Sequence, residues 1–382
     1  MINTENYRPL FSHITDNCTY LNHAAISPLS QNVIEKIQQY LHNRSVKSID
    51  NFEKMEEHFI QTKQKLARLL GTDTERIAFV DNTSNGLNIL ANGLQWKSGD
   101  RVLLNSMEFP SNVYPFLNLK RHGVEVDFIE PDNHTIPLEK IITAVTPQTR
   151  VISISHVQYL NGFLTDLEAL GSFCRENGII LSVDVIQSAG AVPIDVDTMK
   201  IDFLASGSHK WLMAPEGIGF VYVTEELQNK IQQAYVGWTS VSNFFERMRD
   251  FKLELDPTAR RYENGVLNSA GIIGLGASLD TLLDAGIENI HEHILDLTDY
   301  LIALLDERGI EYITPGDRTE RSGIVSFKPA DTGALIGIMN ARKVHTAVRG
   351  DCVRVSPHFY NTEEEIDKLL VCVDECMHEA KT

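Results

Sequence analysis

The chain has 382 residues, 43% hydrophobic and 23% charged, enough apolar material for one large and one small globular unit. Its 52 acidic residues outnumber the 34 basic ones for a formal net charge of -18, which argues against nucleic acid or an anionic membrane surface as the main partner, because both require a basic face. No apolar run is long enough to span a bilayer, the opening MINTENYRPL lacks the apolar stretch of a signal peptide, and the five scattered cysteines (Cys18, Cys174, Cys352, Cys372, Cys376) form neither a disulfide framework nor a C-x-x-C pair, so a cytoplasmic protein is expected.

Short apolar runs read as strands at Ile77–Val80, Arg101–Leu104, Val124–Ile129, Val151–Ile154, Ile179–Val183 and Phe203–Ala205. Segments with helical spacing, such as Gly86–Leu94 and Leu167–Asn177, lie between several of them. The alternation implies an α/β fold with a mostly parallel sheet covered on both faces. The run Ile218–Val223 follows Lys210 too closely for a right-handed parallel crossover, so it should pair antiparallel with the strand before Lys210 and make the sheet mixed. Beyond Arg261 come a glycine-rich helical stretch (Gly271–Gly286) and a long helix, about Ile287–Arg308. Strand-like runs at Gly323–Phe327, Val344–Val348 and Val353–Ser356 follow, then a closing helix, about Thr362–Glu379. The expected division is a large unit at 15–290 and a smaller α+β unit at 291–382 that includes the N-terminal arm, 1–14.

Three segments could carry chemistry. Ser208-His209-Lys210 ends the apolar run IDFLAS, and burial there would lower the amine's proton affinity, as attack on a carbonyl requires. Asp184 ends the strand-like run before Gln187. It reads equally as a helix cap or as a carboxylate beside a cationic ring nitrogen, a place where ligands of open α/β sheets sit. In FVDNTSNGLNIL, the backbone N–H groups of Thr83, Ser84 and Asn85 open a helix and could hold an anion, or Ser84 could simply cap it.

Taken in order along the chain, these pieces resemble the class V aminotransferase family of pyridoxal-phosphate (PLP) enzymes of fold type I, whose members include cysteine desulfurases and isopenicillin N epimerase. The likeness runs from YLNHAAISP (Tyr20–Pro28) through SHKWLMAPEGIGFVYV and RYENGVLNSAGIIGLGASLD to RVSPHFYNTEEEID (Arg354–Asp367). The resemblance implies that Lys210 carries the cofactor as a Schiff base and relays a proton. It pairs Asp184 with the pyridine nitrogen, sets Gln187 at the ring oxygen, stacks Phe109 on the ring, and gives Thr83 and Ser84 the phosphate. His209 would add to the cofactor's surroundings. Arg354 would receive the substrate α-carboxylate, its alternative being a buried ion pair. Asn22 and His23 would lie near the substrate, or make loop contacts only. A homodimer with the active site at its interface is also implied.

The departures are informative. Gly207 stands where the family often has a phosphate-binding serine, and Ser206 or Ser208 would substitute. Val266 replaces a threonine that reaches the neighbouring subunit's phosphate, and Tyr159 replaces an asparagine. KVHTAVRGDCVRVS leaves no room for the mobile cysteine loop of desulfurases, although Cys352 would share a strand face with Arg354. Trp238, Tyr262 and Arg349 could line the substrate pocket or belong to core and surface. The expected activity is transamination or epimerisation at the α-carbon of an amino acid. A C–S lyase needing no cysteine is the alternative, and a PLP-binding partner protein without turnover a third.

Overall fold

The computed structural model describes residues 2–246, 249 and 251–379. Its central sheet has seven strands: β1 (Ile77–Val80), β2 (Arg101–Asn105), β3 (Glu125–Ile129), β4 (Thr149–Ser155), β5 (Ile180–Asp184), β6 (Phe203–Gly207) and β7 (Gly219–Val223). They lie side by side in the order β1-β7-β6-β5-β4-β2-β3. All neighbours are parallel except that β7 runs antiparallel to both β1 and β6. The short connection after Lys210 leaves no room for a crossover, so the chain turns back and the sheet is mixed, as the spacing required.

Strands β5, β6 and β7 are almost wholly buried because helices cover both faces of the sheet. The helix Ser269–Ala285 is buried nearly all round and packs against Gln31–Val46 and Phe52–Leu70. Each fully buried Leu or Ile on such faces contributes about 1.5–3 kcal/mol. Among the described residues, no single helix is long and apolar enough to cross a membrane.

The C-terminal part forms a second layer. Strands β8 (Val325–Phe327), β9 (Ala347–Arg349) and β10 (Cys352–Val355) make an antiparallel sheet ordered β9-β10-β8. The run expected as one strand over Val344–Val348 splits in two. Val344–His345 pairs in parallel with Thr19–Tyr20, and after Thr346 the chain changes partner and pairs with β10. The helix Ile287–Glu307 joins the layers. Ile287, Ile290 and Ile294 sit in the large core, and Leu297, Leu301 and Leu305 in the small one. The expected boundary at 290/291 therefore falls inside a continuous helix.

Candidate active site

The carboxyl ends of β1, β5 and β6 converge on a cavity of about 280 Å³, and the hairpin β9–β10 closes another side. Lys210 lies three residues beyond β6 with its side chain in this cavity. Its Nζ stands 5.4 Å from the centre of the Phe109 ring. Burial pushes its amine below the ordinary lysine range. The Asp184 charge opposes that shift, and Arg354 and Arg349 add to it.

Asp184 ends β5 and is fully buried. Burial pushes its carboxyl up, against the Ile186 N–H bond and the Lys210 charge; nearby Glu108 pushes it up further. Oδ1 accepts from the Ile186 N–H at 3.0 Å, and only turns follow, so no helix is capped here. The carboxylate has no ion-pair partner within the described residues, and a protonated ring nitrogen would supply one. Gln187 lines the cavity less freely than expected. Its Nε2 donates to the Ala24 carbonyl at 3.0 Å and its Oε1 accepts from Trp211 Nε1 at 2.9 Å, which leaves one N–H for a ring oxygen.

The end of the cavity where an anion is expected is the start of the helix Thr83–Gly93. Gly86 lets this helix press on the sheet, since a Cβ there would sit 2.8 Å from the Ala205 and Val221 side chains. The true cap is Asn82, whose Oδ1 accepts from the Asn85 N–H at 2.9 Å. That corrects two expectations. Ser84 is not the cap, and Asn85 is exposed with its N–H already used and its side chain on Asp81, so it offers nothing to an anion. Thr83 and Ser84 remain at the first two helical positions, where N–H groups lack an intrahelical acceptor. Ser84 Oγ donates to Ser111 Oγ at 3.0 Å, and both line the cavity.

Neither serine beside Gly207 takes the family serine's place. Ser206 is buried and its hydroxyl donates to the Gly207 carbonyl; the Ser208 hydroxyl is shared between the Ile218 and Pro215 carbonyls. Both point into backbone and neither lines the cavity. His209 does line it, and burial together with the Lys210 charge favours its neutral ring.

Arg354, on β10, is 1% exposed. Its Nη1 donates to the Tyr159 carbonyl at 2.7 Å, but Nε and Nη2 have no partner. It forms no ion pair within the described residues, so the buried-ion-pair alternative fails. Tyr159 also stands edge-on to Phe109 at 5.2 Å between ring centres, so its ring walls the cavity where the family has an amide. Asn22 and His23 do not line the cavity; Ala24 and Ala25 do. Asn22 bridges to Ser356, and His23 is buried with Nδ1 donating to the Ser356 carbonyl at 2.8 Å and Nε2 accepting from the Tyr360 hydroxyl at 2.7 Å. Tyr262 is buried in the core and Trp238 is on the surface, whereas Arg349 reaches the cavity. Cys352 faces the same side as Arg354 but stays outside the cavity, and burial pushes its thiol up to about 11.

Sequence reasoning missed Glu108. This buried carboxylate accepts from Asn105, Asn112, Gln158 and both the N–H and hydroxyl of Ser155. It fixes the loop carrying Phe109 against β4, beside Asp184. Only its place next to Phe109 hinted at it.

The class-V aminotransferase profile matches residues 19–369. The chain belongs to this family. A probable cysteine desulfurase of Methanothermobacter thermautotrophicus is 32% identical over 81% of each chain. Isopenicillin N epimerase of Streptomyces clavuligerus is 27% identical, covering 93% of this chain and 94% of the relative. The apo structure of a cysteine desulfurase from Thermococcus onnurineus NA1 superposes with a TM-score of 0.88 at 25% identity, over 99% of both chains. Membership makes the protein a PLP-dependent enzyme. The residues present fit that cofactor: a buried amine, an unpaired buried carboxylate, and a helix start flanked by hydroxyls.

Proposed function

We propose that this enzyme binds an amino acid through Arg354 and acts at its α-carbon, by transamination or epimerisation. The observation that carries this reading is the buried Arg354 guanidinium with Nε and Nη2 unpartnered beside Lys210. A buried cation in that state needs an anion, and a carboxylate matches its two-pronged geometry.

When bound, PLP supplies a carbonyl that condenses with amines and a ring that accepts electrons from the substrate's α-carbon. Thr83, Ser84 and Ser111 would hold its phosphate, Asp184 its ring nitrogen and Gln187 its ring oxygen. Phe109 would cover one face of the ring. Lys210 Nζ, which burial makes readier to give up its proton, would serve as nucleophile and then as the base that takes the proton from the α-carbon. Asp184 would favour a proton on the ring nitrogen, whose positive charge would oppose the burial that pushes the carboxyl up. Arg354 fixes the carboxylate and so orients the α-hydrogen. Lys210 would return the proton to a different carbon in transamination, whereas epimerisation needs a proton on the face of the α-carbon opposite Lys210; the residues named here are common to both.

The names of the desulfurase relatives favour a second reading, a C–S lyase. Persulfide formation on the enzyme is disfavoured because β9 and β10 are joined by only Gly350 and Asp351, and Cys352 is buried with its thiol pushed up to about 11. We propose a cytoplasmic homodimer as the working form. Trp238, Phe245, Phe251, Leu253 and Val266 are exposed apolar residues that a second copy could cover. Sedimentation of the holoenzyme as a monomer would refute that part.

The deciding experiment follows the cofactor's visible absorbance as single amino acids are added without a keto acid. Stable conversion to the amine form of the cofactor establishes transamination. Recovery of the spectrum with solvent hydrogen at Cα establishes epimerisation. Pyruvate or sulfide among the products would replace both with the lyase.

A further inference from the structure

We propose that Arg349 and Arg354 together form a two-guanidinium subsite, and that the substrate is an amino acid with a second anionic group on its side chain. This rests on the proposed function only in assigning the first anion, the α-carboxylate, to Arg354.

The argument begins with strand register. Ala347 faces Arg354, and Arg349 faces Cys352, across the antiparallel pair β9–β10. Facing residues share a side of the sheet, and so do residues two apart on one strand. Arg349 and Arg354 are therefore diagonal neighbours on one side, roughly 7–8 Å apart at the backbone. Gly350, with φ of 62°, permits the tight turn that holds this register. Both side chains line the cavity that contains Lys210.

The charges there are unbalanced. Asp184 is the one carboxylate lining the cavity among the described residues, against Lys210, Arg349 and Arg354. Neither arginine forms an ion pair with any described carboxylate. The bond Arg349 makes is from Nη1 to the Val348 carbonyl at 2.8 Å, which neutralises nothing. The two guanidinium groups repel each other, as the effect of Arg349 on Arg354 records. In a chain with an excess of acidic residues, counter-ions were available and are absent from this spot. Asp184 is matched by the cofactor's ring nitrogen, and the cofactor's phosphate belongs at the helix start near Thr83, Ser84 and Ser111. One substrate carboxylate satisfies Arg354. Arg349 is then left over, and an anion a few bonded atoms from the α-carbon satisfies it.

The test uses PLP-loaded enzyme, wild type and the variants Arg349→Gln and Arg349→Lys. Succinate and glutarate are compared with butyrate by thermal shift at matched ionic strength, which needs no turnover. The spectral affinity of glutamate is compared with glutamine, and aspartate with asparagine. We expect dicarboxylates to stabilise the wild type more than butyrate does. The acidic amino acid of at least one pair should bind about 10–100-fold more tightly than its amide. In Arg349→Gln that preference should fall to near unity, with Arg349→Lys between. Equal binding of acid and amide in the wild type, or equal stabilisation by butyrate, overturns the proposal. So does loss of cofactor from Arg349→Gln with the preference unchanged, since Arg349 would then serve the phosphate. If no amino acid perturbs the cofactor, the proposed function fails, while the dicarboxylate comparison still decides the subsite.

Discussion

Two buried charges flank the cavity and have opposite surroundings. Glu108 accepts hydrogen bonds from four neighbouring residues, drawn from the end of β2, the loop that follows it, β4 and the segment after β4. Arg354 keeps one backbone partner and leaves two nitrogens bare. A buried ion in a folded chain must be matched by something. Where the chain supplies the match, the group is scaffold. Where it does not, a ligand supplies it. On the proposed function, Glu108 belongs to folding and Arg354 to binding, although both are buried beside the same site.

The largest expected effect sits between the two. Replacing Lys210 with Ala should lower turnover by about 10²–10⁴-fold or more and abolish the Schiff-base absorbance of the purified protein. Retained absorbance would move the cofactor to another amine and dissolve the comparison, because the cavity would no longer be the reaction site.

Arg354→Met separates the two roles next. It should cost substrate about 3 kcal/mol in kcat/KM, on the order of a hundredfold, and it should also stabilise the cofactor-free protein by about 1–3 kcal/mol in urea unfolding. Glu108→Gln should do the reverse. It turns one acceptor oxygen into a donor among donors and should destabilise the fold by about 2–4 kcal/mol, with a smaller change in substrate affinity. If both variants destabilised equally, the distinction between scaffold and receptor would fail.

The smallest effect is in pH. His23 and His358 are fully buried and hydrogen-bonded through both ring nitrogens, so they stand on the scaffold side. Burial lowers both, His358 to about 4. Each is neutral in the native state and titrates near 6.5 when unfolded, so the unfolded chain binds more protons below that pH. Their contribution is complete above pH 6.5 and is lost as pH falls toward 4, by up to about 1.4 kcal/mol per unit for each histidine. Urea unfolding of the cofactor-free protein between pH 7 and 5 measures this, and the slope should shrink in His358→Gln.

The sheet was legible because its strands are short apolar runs with turn residues between them, and the seven-residue link after Lys210 dictated the antiparallel β7. Lys210, Asp184, Phe109 and Arg354 were legible because each sits in a local motif that a single stretch of chain carries. Glu108 was not, because its donors come from separate segments that only the fold assembles. Ser206 and Ser208 were misread for the converse reason. A serine's neighbours in sequence do not show whether its hydroxyl turns to a cavity or to the nearest carbonyl. Asn85 likewise lost its part to Asn82, since the helix starts earlier than the apolar spacing indicated. The strand expected over Val344–Val348 split because β-forming residues do not specify which edge they pair with.

The most direct test of the central claim is a titration of PLP-loaded wild type and Arg354→Met with an amino acid that perturbs the cofactor spectrum, alongside the amine lacking its carboxylate. The account predicts that the variant weakens the amino acid on the order of a hundredfold and leaves the amine's affinity close to that of the wild type. Equal weakening of both, or of neither, would contradict the assignment of Arg354 as the carboxylate receptor.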